Sequence, residues 1–239
     1  MRRFPSELVV LSHRITDSLE IIQNMLRLSQ HPYIALSFGK DSLAMMDLVY
    51  GVKPGVKCLF LKSEESFLMY DYERLISWYT EHLGLNLHIV DTHRLSEYAF
   101  DWERARKAGN RDFYLDDFFE GWDGVFMGLR IEESKRRRQT LTAKRNNEVG
   151  RFIMRYAGGR RKGMVRCCPM ACWKASEILF YLKACNLPML DVYQEGEHIR
   201  TTARITGDAQ RQNALFWIKK SKPENWNRIV RMLPELRNL

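Results

Sequence analysis

Six consecutive residues near the start of the chain have the composition of a phosphate-binding loop. They are Ser37-Phe38-Gly39-Lys40-Asp41-Ser42, and they precede an apolar stretch with helical spacing. Serine hydroxyls, close backbone approach at a glycine and the N–H groups of a helix N-terminus all bind phosphate oxygens. Lys40 adds a full positive charge, and Asp41 offers an oxygen ligand for Mg²⁺. The loop therefore predicts an anion-binding seat; the alternative is a serine-capped helix after a strand, with Lys40 solvated.

A second polar segment follows a later apolar run. It has the order Gly128-x-Arg130-x-x-Glu133-Ser134-x-x-Arg137. An arginine at the carboxyl end of a strand can bind phosphate or sulfate through two hydrogen bonds. Glu133 can orient Arg130 or hold a metal, and Arg137 lies on the same helical face as Glu133. The segment predicts a second anion-binding element; the alternative is a surface capping motif with an exposed salt bridge.

Apolar runs around both segments predict strands that alternate with helices. The predicted strands are 33–36, 56–61, 85–90 and 122–128, and the predicted helices include 6–28, 43–50, 70–83, 174–182 and two after residue 200. This alternation is typical of a parallel sheet with right-handed crossovers. Ligands of such sheets bind beyond the carboxyl ends of the strands, which is where both polar segments lie.

Three stretches resemble known families. The loop at 37–42 resembles the PP-loop of the adenine-nucleotide α-hydrolase-like superfamily, usually Ser-Gly-Gly-Lys-Asp-Ser, with Phe38 replacing the first glycine. The second segment is similar to the Gly-x-Arg-x-x-Glu-Ser-x-x-Arg segment of the phosphoadenosine phosphosulfate (PAPS) reductase family. Residues 169–196 are similar to that family in the order of their Pro, Trp, Tyr, Leu-Pro and Gly residues. The resemblance implies an α/β fold, with a doubly wound, mostly parallel sheet, helices on both faces and a small helical C-terminal region.

The resemblance also implies a domain organisation. Residues 1–29 would form an N-terminal helical lead-in, 30–205 the PP-loop nucleotide-binding domain, and 206–239 a C-terminal helical appendage. No apolar run in the sequence is long enough to span a membrane, and the first residues do not resemble a signal peptide. We therefore expect a cytoplasmic protein without membrane contact.

The family likeness assigns a nucleotide site to both polar segments. ATP, or a sulfated adenine nucleotide such as PAPS or APS, would bind there together with Mg²⁺. The expected nucleotide-binding residues are Ser37, Phe38, Gly39, Lys40, Asp41, Ser42, Gly128, Arg130, Glu133 and Ser134. The expected catalytic residues are Lys40, Asp41, Arg130 and Arg137, with Asp41 as the Mg²⁺ ligand. Residues 62–65 lack the aspartate that the family often has after its second strand, so the adenosine contacts are not predicted.

Cysteines raise the question of metal or thiol chemistry. Cys167, Cys168 and Cys172 are close in sequence, but three thiols without a fourth make a poor zinc or iron–sulfur site. Residues 200–204 stand where iron–sulfur members of the family have a Cys-x-x-Cys pair. The reductases also use a nucleophilic cysteine near the C-terminus, and no cysteine follows Cys185 here. The pattern favours neither a metal–thiolate cluster nor the thiol chemistry of the reductases.

Positive charge is concentrated in one segment. The chain has 38 basic and 29 acidic residues, for a net charge of +9. Residues 134–166 contain twelve basic residues and one acidic residue, a net +11, which leaves about −2 for the rest. Such a segment indicates a nucleic acid, a partner protein or a multiply charged substrate. The alternative is that the segment forms a solvated surface without a partner. The sequence does not decide whether the protein forms a homo-oligomer.

Three functions follow from these features. The first is an enzyme that cleaves ATP to AMP and pyrophosphate and adenylates an acceptor, a transferase of sulfur metabolism or nucleic-acid modification. The second is a PAPS reductase-like or sulfotransferase-like enzyme that uses Cys167, Cys168 or Cys172. The third is a non-catalytic subunit that binds nucleotides or nucleic acid. Sulfite release from PAPS separates the second from the first, and binding without turnover identifies the third.

Overall fold

The computed structural model describes residues 6–62, 70–91, 121–144, 147–159, 161–193, 209–232 and 234–238. The strands are β1 (Pro32–Ala35), β2 (Cys58–Lys62), β3 (Leu87–Asp91), β4 (Gly124–Met127), β5 (Ile153–Arg155) and β6 (Val165–Cys167). The α-helices are α1 (Ser12–Leu28), α2 (Lys40–Val52), α3 (Tyr72–Leu83), α4 (Lys135–Thr142), α5 (Ala175–Ala184), α6 (Ala209–Ser221) and α7 (Pro223–Met232). Short 3₁₀ turns are Ser6–Leu11, Ile131–Glu133, Asp191–Tyr193 and Pro234–Asn238.

The six strands form one mostly parallel sheet in the order β3-β2-β1-β4-β6-β5. All neighbouring strands are parallel except β5 and β6, which pair antiparallel at one edge. Strands β2 and β3 are added in sequence on one side of β1 within the sheet, and β4 then pairs with the opposite edge of β1. Strand order therefore reverses at β1, and the crevice at such a reversal is where α/β sheets bind ligands. The predicted α/β class is confirmed, whereas the β5–β6 hairpin was not predicted.

Alternating residues of β1 divide the core into two parts. Ile34 and Leu36 join the main core, to which α1, α2, α3 and α5 contribute. Tyr33 lies on the other face with Leu59 and Val125, where a smaller cluster forms. Of the described α-helices, all but α4 contribute to the main core. The buried residue of α4, Leu141, lies in a third, small cluster with Cys168 and Ala171. The expected helix cover on the second face stays a prediction, because residues 92–120, which link β3 to β4, lie outside the described part.

The C-terminal helices pack on the same main core. Leu215 and Ile218 of α6 and Ile229 of α7 are buried in it, and Trp217 stacks on Tyr70 with 6.0 Å between ring centroids. The predicted boundary at residue 205 lies in 194–208, outside the described residues, so the division into a separate appendage stays a prediction. In the part of the chain that the structure covers, none of the helices has the length and apolar character needed to cross a bilayer.

Asp123 ties the start of β4 to the connection between α1 and β1. Its carboxylate accepts hydrogen bonds from Ser29 Oγ at 2.5 Å, Gln30 N at 2.8 Å and His31 N at 2.9 Å. Gly124 leaves no room for a side chain here, because a Cβ would collide with Ser29. Partial burial raises the pKa of Asp123, but these hydrogen bonds lower it more, so the net pKa lies below its ordinary value of 3.8.

The variant Asp123→Asn is expected to lower the free energy of unfolding at pH 7 by about 1–2 kcal/mol, since charge-assisted hydrogen bonds are lost. A carboxylate with a lowered folded pKa stabilises the protein above its unfolded pKa, and this contribution disappears as the pH falls through the folded value. The difference between wild type and variant should therefore shrink below about pH 4. Urea unfolding across pH measures it, with Glu20→Gln, at an exposed carboxylate on α1, as the control. A difference that stays constant down to pH 2 would contradict the assignment.

Candidate functional site

The loop between β1 and α2 is held by its two serines. Ser42 Oγ donates to the carbonyl of Gly39 at 2.9 Å, accepts from the N–H of Ser37 at 3.2 Å and lies 3.1 Å from Ser37 Oγ. Gly39 is the N-cap of α2 and supplies no side-chain cap. The first turn of a helix has N–H groups without intrahelical acceptors. The helix N-terminus is thus open, and the serine hydrogen bonds hold the loop that precedes it. An anion-binding site at a helix N-terminus requires both features.

Phe38 lies on the far side of this loop from the open seat. Its side chain is fully buried, and its ring centroid is 5.0 Å from that of Phe60, 6.1 Å from that of Tyr72 and 6.3 Å from that of Tyr79. Its φ is +54°, in the left-handed region that favours glycine. The backbone conformation of the usual glycine is therefore compatible with an aromatic side chain, which anchors the loop in the core. Any contact of Phe38 with a nucleotide would come from its backbone.

Comparison of Phe38→Gly with Phe38→Ala isolates the backbone contribution at this position. Both variants lose the ring and are destabilised, but we expect the glycine variant to be more stable by about 1 kcal/mol, because alanine keeps the left-handed strain. Urea unfolding gives the difference. The same pair of substitutions at Phe60, in β2, is the control, and there alanine should be the more stable. If Phe38→Ala were as stable as Phe38→Gly or more stable, the left-handed φ at this position would carry no strain.

Lys40 and Asp41 begin α2 with opposite charges. Lys40 is only 7% exposed, and its Nζ donates to Asp41 Oδ2 at 2.8 Å and lies 5.6 Å from the ring centroid of Tyr193. The other carboxylate oxygen of Asp41 accepts from Arg130 Nε at 2.6 Å. Asp41 therefore lies between two cations, and a ligand or metal ion would compete for these contacts.

Arg130 is the buried link between the two predicted segments. It is 5% exposed, and besides Asp41 it donates from Nη1 to Glu132 Oε2 at 2.7 Å. Burial lowers the pKa of Arg130, but Asp41 and Glu132 raise it more, so the net pKa is raised and the guanidinium stays charged. Glu133 accepts from the backbone N–H of Arg130 at 2.7 Å. It fixes the turn, while Glu132 orients the side chain.

Glu132 is a site residue that the sequence did not reveal. Its Oε2 also accepts from the N–H of Ala175, the first residue of α5, at 2.8 Å. Partial burial raises its pKa, but the hydrogen bonds from Ala175 and Arg130 lower it more, and the net pKa is below the ordinary value. Because Ala175 is distant in sequence, no local pattern marks this contact. Glu132 connects the arginine to the N-terminus of α5.

Gly128 explains how closely the two segments approach. A Cβ at this position would lie 3.0 Å from the backbone C and O of Asp41 and from the N of Ser42. Ser134 caps α4 by accepting from the N–H of Arg137 at 3.1 Å. Arg137 then pairs with Glu133 at 3.5 Å while its side chain stays 44% exposed. The two residues therefore pair across the cap of α4 and not along one helix, because Glu133 belongs to the preceding 3₁₀ turn. The Arg137 side chain still reaches solvent.

A cleft of about 1280 Å³ opens at the carboxyl ends of β1, β2 and β4. Every predicted site residue except Phe38 lines it: Ser37, Gly39, Lys40, Asp41, Ser42, Gly128, Arg130, Glu133, Ser134 and Arg137. Further lining residues that were not predicted are Glu132, Arg136, Thr140, Arg161, Ser176 and Tyr193. Two segments about ninety residues apart in sequence therefore share one concave surface, as the parallel pairing of β1 and β4 requires.

The cysteines lie elsewhere. Cys167 and Cys168 are fully buried, and burial raises the pKa of Cys167 well above its ordinary value and that of Cys168 to about 11. Cys172 is half-buried, with its Sγ 3.9 Å from Arg151 Nη2. None of the three is among the described residues that line the cleft. Within the described ranges, the structure places no three His, Cys, Asp or Glu side chains where they could share a metal ion.

Comparison with known sequences finds a relative among adenylyltransferases. The chain is 24% identical over 206 residues to sulfate adenylyltransferase subunit 2 of Burkholderia lata. The match covers 74% of this chain and 65% of that protein, so the chain spans slightly less than two thirds of the length of this relative.

Comparison with solved structures supports the fold. The PAPS reductase of Candida auris, solved as a phosphate complex, matches with a TM-score of 0.51 and 18% identity over 80% of this chain and 88% of that one. The FMN adenylyltransferase of Candida glabrata, solved with FAD and inorganic pyrophosphate, matches with a TM-score of 0.52 and 17% identity over 82% and 65%. At these identities the likeness concerns the fold.

The family is shown by the match of a family model to most of the chain. The phosphoadenosine phosphosulfate reductase domain model matches residues 31–229, which is most of the chain and includes both cleft segments. This range contains the braced loop before α2, the Gly128–Arg137 segment and helix α5. The chain therefore belongs to the phosphoadenosine phosphosulfate reductase domain family.

Proposed function

We propose that the protein binds ATP in this cleft, cleaves it between the α- and β-phosphates and transfers the adenylyl group to an acceptor. The observation that carries the proposal is the open N-terminus of α2, which faces the cleft with Lys40 and a serine-braced entry. Helix N-termini, lysine and hydroxyl groups are the donors that stabilise a polyphosphate.

The β- and γ-phosphates would bind at this N-terminus. The N–H groups of the first turn, the hydroxyls of Ser37 and Ser42 and the ammonium of Lys40 would surround them. When the bond between the α-phosphorus and its bridging oxygen breaks, negative charge grows on the leaving pyrophosphate. Preorganised donors stabilise the transition state, in which this charge develops, more strongly than they stabilise the bound ATP. Such sites accelerate phosphoryl and adenylyl transfer in this way.

Asp41 fits a metal role only in part. It is one carboxylate whose oxygens contact Lys40 and Arg130. Mg²⁺ commonly binds through one or two carboxylates together with substrate phosphates and water. Asp41 would hold Mg²⁺ jointly with the nucleotide, and the ion would supply charge neutralisation on the phosphates. Arrival of the phosphates would also compete with Asp41 for Lys40.

The two arginines have different roles in this proposal. Arg130 is buried and engaged by Asp41 and Glu132, so it acts as a positioning residue that keeps the seat and α5 together. Arg137 is 44% exposed and its ion pair with Glu133 is long, at 3.5 Å. Arg137 can therefore move to the leaving pyrophosphate at small cost.

Two further observations favour adenylyl transfer over a reductase reaction. All five cysteines of the chain lie in the described part, and none of them lines the cleft, which supports a reaction that does not use a thiol. The Burkholderia lata relative is named as an adenylyltransferase and as a subunit, which supports adenylyl transfer and a partner protein for this chain.

Product analysis tests the proposal. Purified protein is incubated with Mg²⁺ and ATP labelled in the adenine, and separately with PAPS. We expect AMP or an adenylated acceptor together with pyrophosphate, and no sulfite from PAPS. Formation of ADP and phosphate would contradict cleavage at the α-phosphate, and sulfite would indicate the reductase reaction. Tight ATP binding with no product, in the presence of cell extract as a source of acceptor, would indicate a non-catalytic subunit.

A further inference from the structure

Helix α4 carries more positive charge than its surroundings balance. Its first four residues, 135–138, are Lys-Arg-Arg-Arg, and all four are exposed. Arg137 pairs with Glu133, whereas Lys135, Arg136 and Arg138 have no ion pair within the described residues. A solvated helix face normally intersperses both signs of charge. Four adjacent cations on one short helix repel each other, so an anionic partner would stabilise them.

The β5–β6 hairpin adds cations with fixed positions. The ring of Tyr156 contacts two guanidinium groups, with its centroid 5.9 Å from Cζ of Arg161 and 5.9 Å from Cζ of Arg166. Arg155 Nη1 donates to the carbonyl of Gly163 at 2.7 Å, which braces the turn. Lys162 is exposed at the same turn. Cation–π contacts of this kind favour ordered positions for arginine side chains.

Both groups of cations meet at the cleft. Arg136 and Arg137 of α4 and Arg161 of the hairpin line the same surface as Lys40. We call the seven cations the basic rim; they are Lys135, Arg136, Arg137, Arg138, Arg155, Arg161 and Lys162. The cleft of about 1280 Å³ is larger than the roughly 300–1000 Å³ usual for small-ligand pockets. A nucleotide at the α2 seat would leave both space and positive charge unused.

We infer that the basic rim binds the phosphodiester backbone of a nucleic-acid strand, and that this strand is the acceptor. The inference rests on the proposed adenylyl transfer and names its substrate class. An oxygen of the strand would form a bond to the α-phosphorus of ATP as the bond to the bridging oxygen breaks. Pyrophosphate leaves with that electron pair, and the proton of the acceptor goes to solvent.

Arginine chemistry favours a nucleic acid over an acidic protein. Five of the seven rim cations are arginines, whose planar groups bind phosphate oxygens through two hydrogen bonds. They extend from a helix to a hairpin, and three of the seven line the cleft, which matches repeated phosphates along a strand better than one compact anion. Phosphate contacts of this kind dominate nucleic-acid affinity and make it depend steeply on salt.

Oligonucleotide binding tests the basic rim. Labelled single-stranded RNA, single-stranded DNA and duplex DNA of one length are titrated by fluorescence anisotropy at several salt concentrations. The rim variant is Arg136→Ala/Arg138→Ala/Arg161→Ala. The control, Arg228→Ala/Arg231→Ala/Arg237→Ala, removes three exposed arginines from the C-terminal region. We expect the rim variant to bind at least about tenfold more weakly, with a salt slope smaller by roughly 2–3. The control should bind like the wild type.

Acceptor function has its own readout. Total cellular RNA or genomic DNA is added to the wild-type protein with Mg²⁺ and ATP, and at least one is expected to raise pyrophosphate release. Absence of oligonucleotide binding, equal losses in rim variant and control, stronger competition by polyglutamate than by unlabelled RNA or DNA, or no rise with either nucleic acid would each overturn the inference. ATP binding measured in parallel separates the two proposals, because its absence in the wild type would instead overturn the nucleotide site.

Discussion

Replacing Lys40 with alanine is expected to reduce ATP turnover by roughly 10²–10³-fold while the fold persists. The ammonium begins α2 at the centre of the proposed phosphate seat and is only 7% exposed, so water screens it little. The fold should survive because alanine is a good helix former and Asp41 keeps its contact with Arg130. Pyrophosphate release measures turnover, and thermal unfolding reports the fold.

Two further variants separate charge from packing. Lys40→Met keeps the length of the side chain without its charge and should lose turnover like Lys40→Ala. The control is Lys53→Ala, which removes an exposed lysine from the other end of α2 and should leave turnover unchanged. If Lys40→Met folds normally and releases pyrophosphate at the wild-type rate, the seat does not hold the phosphates, and the proposed function fails.

The central part of the fold could be predicted because its signals are local. The apolar run at 33–36 predicted β1 to within one residue. Helix α2 was predicted from residue 43 but begins at Lys40, because the last three residues of the polar loop form its first turn. Parallel topology then predicted that segments after β1 and β4 meet, which the register of Ala35 with Met127 confirms. The β5–β6 hairpin was missed because its strands are three residues long and contain arginines. Three residues are too few to show a period of two.

The details of the site depend on packing that the sequence does not encode locally. Phe38 stays a predicted nucleotide contact through its backbone only, because its side chain is buried in the core. Its left-handed φ could not be read from the sequence. Glu132 was missed because its role depends on a contact with the N-terminus of α5, more than forty residues away in sequence. Its other partner is the nearby Arg130. Arg161 and Tyr193 reach the cleft from a hairpin and a 3₁₀ turn whose positions depend on the whole sheet.

Arg130 determines whether the seat and α5 stay connected, and Arg130→Ala is expected to lower the free energy of unfolding by roughly 2–4 kcal/mol. Its guanidinium side chain is 6% exposed and pairs with Asp41 at 2.6 Å and Glu132 at 2.7 Å. Removing one partner of a buried ion pair leaves the other groups without compensation. We expect a smaller loss of stability than the largest ones known for broken buried ion pairs. Asp41 keeps its contact with Lys40, and the Glu132 side chain is 51% exposed and can be hydrated.

Arg74 provides the matched control, since it also bridges two carboxylates. It contacts Asp71 and Asp191 at 3.1 Å each, but its side chain is 42% exposed. Exposed ion pairs contribute little, so Arg74→Ala should cost less than about 1 kcal/mol. Arg130→Lys keeps the charge but cannot reach both carboxylates with one ammonium, so it should restore only part of the stability and turnover. Equal destabilisation by Arg130→Ala and Arg74→Ala in urea unfolding would show that burial of Arg130 does not couple the seat to α5.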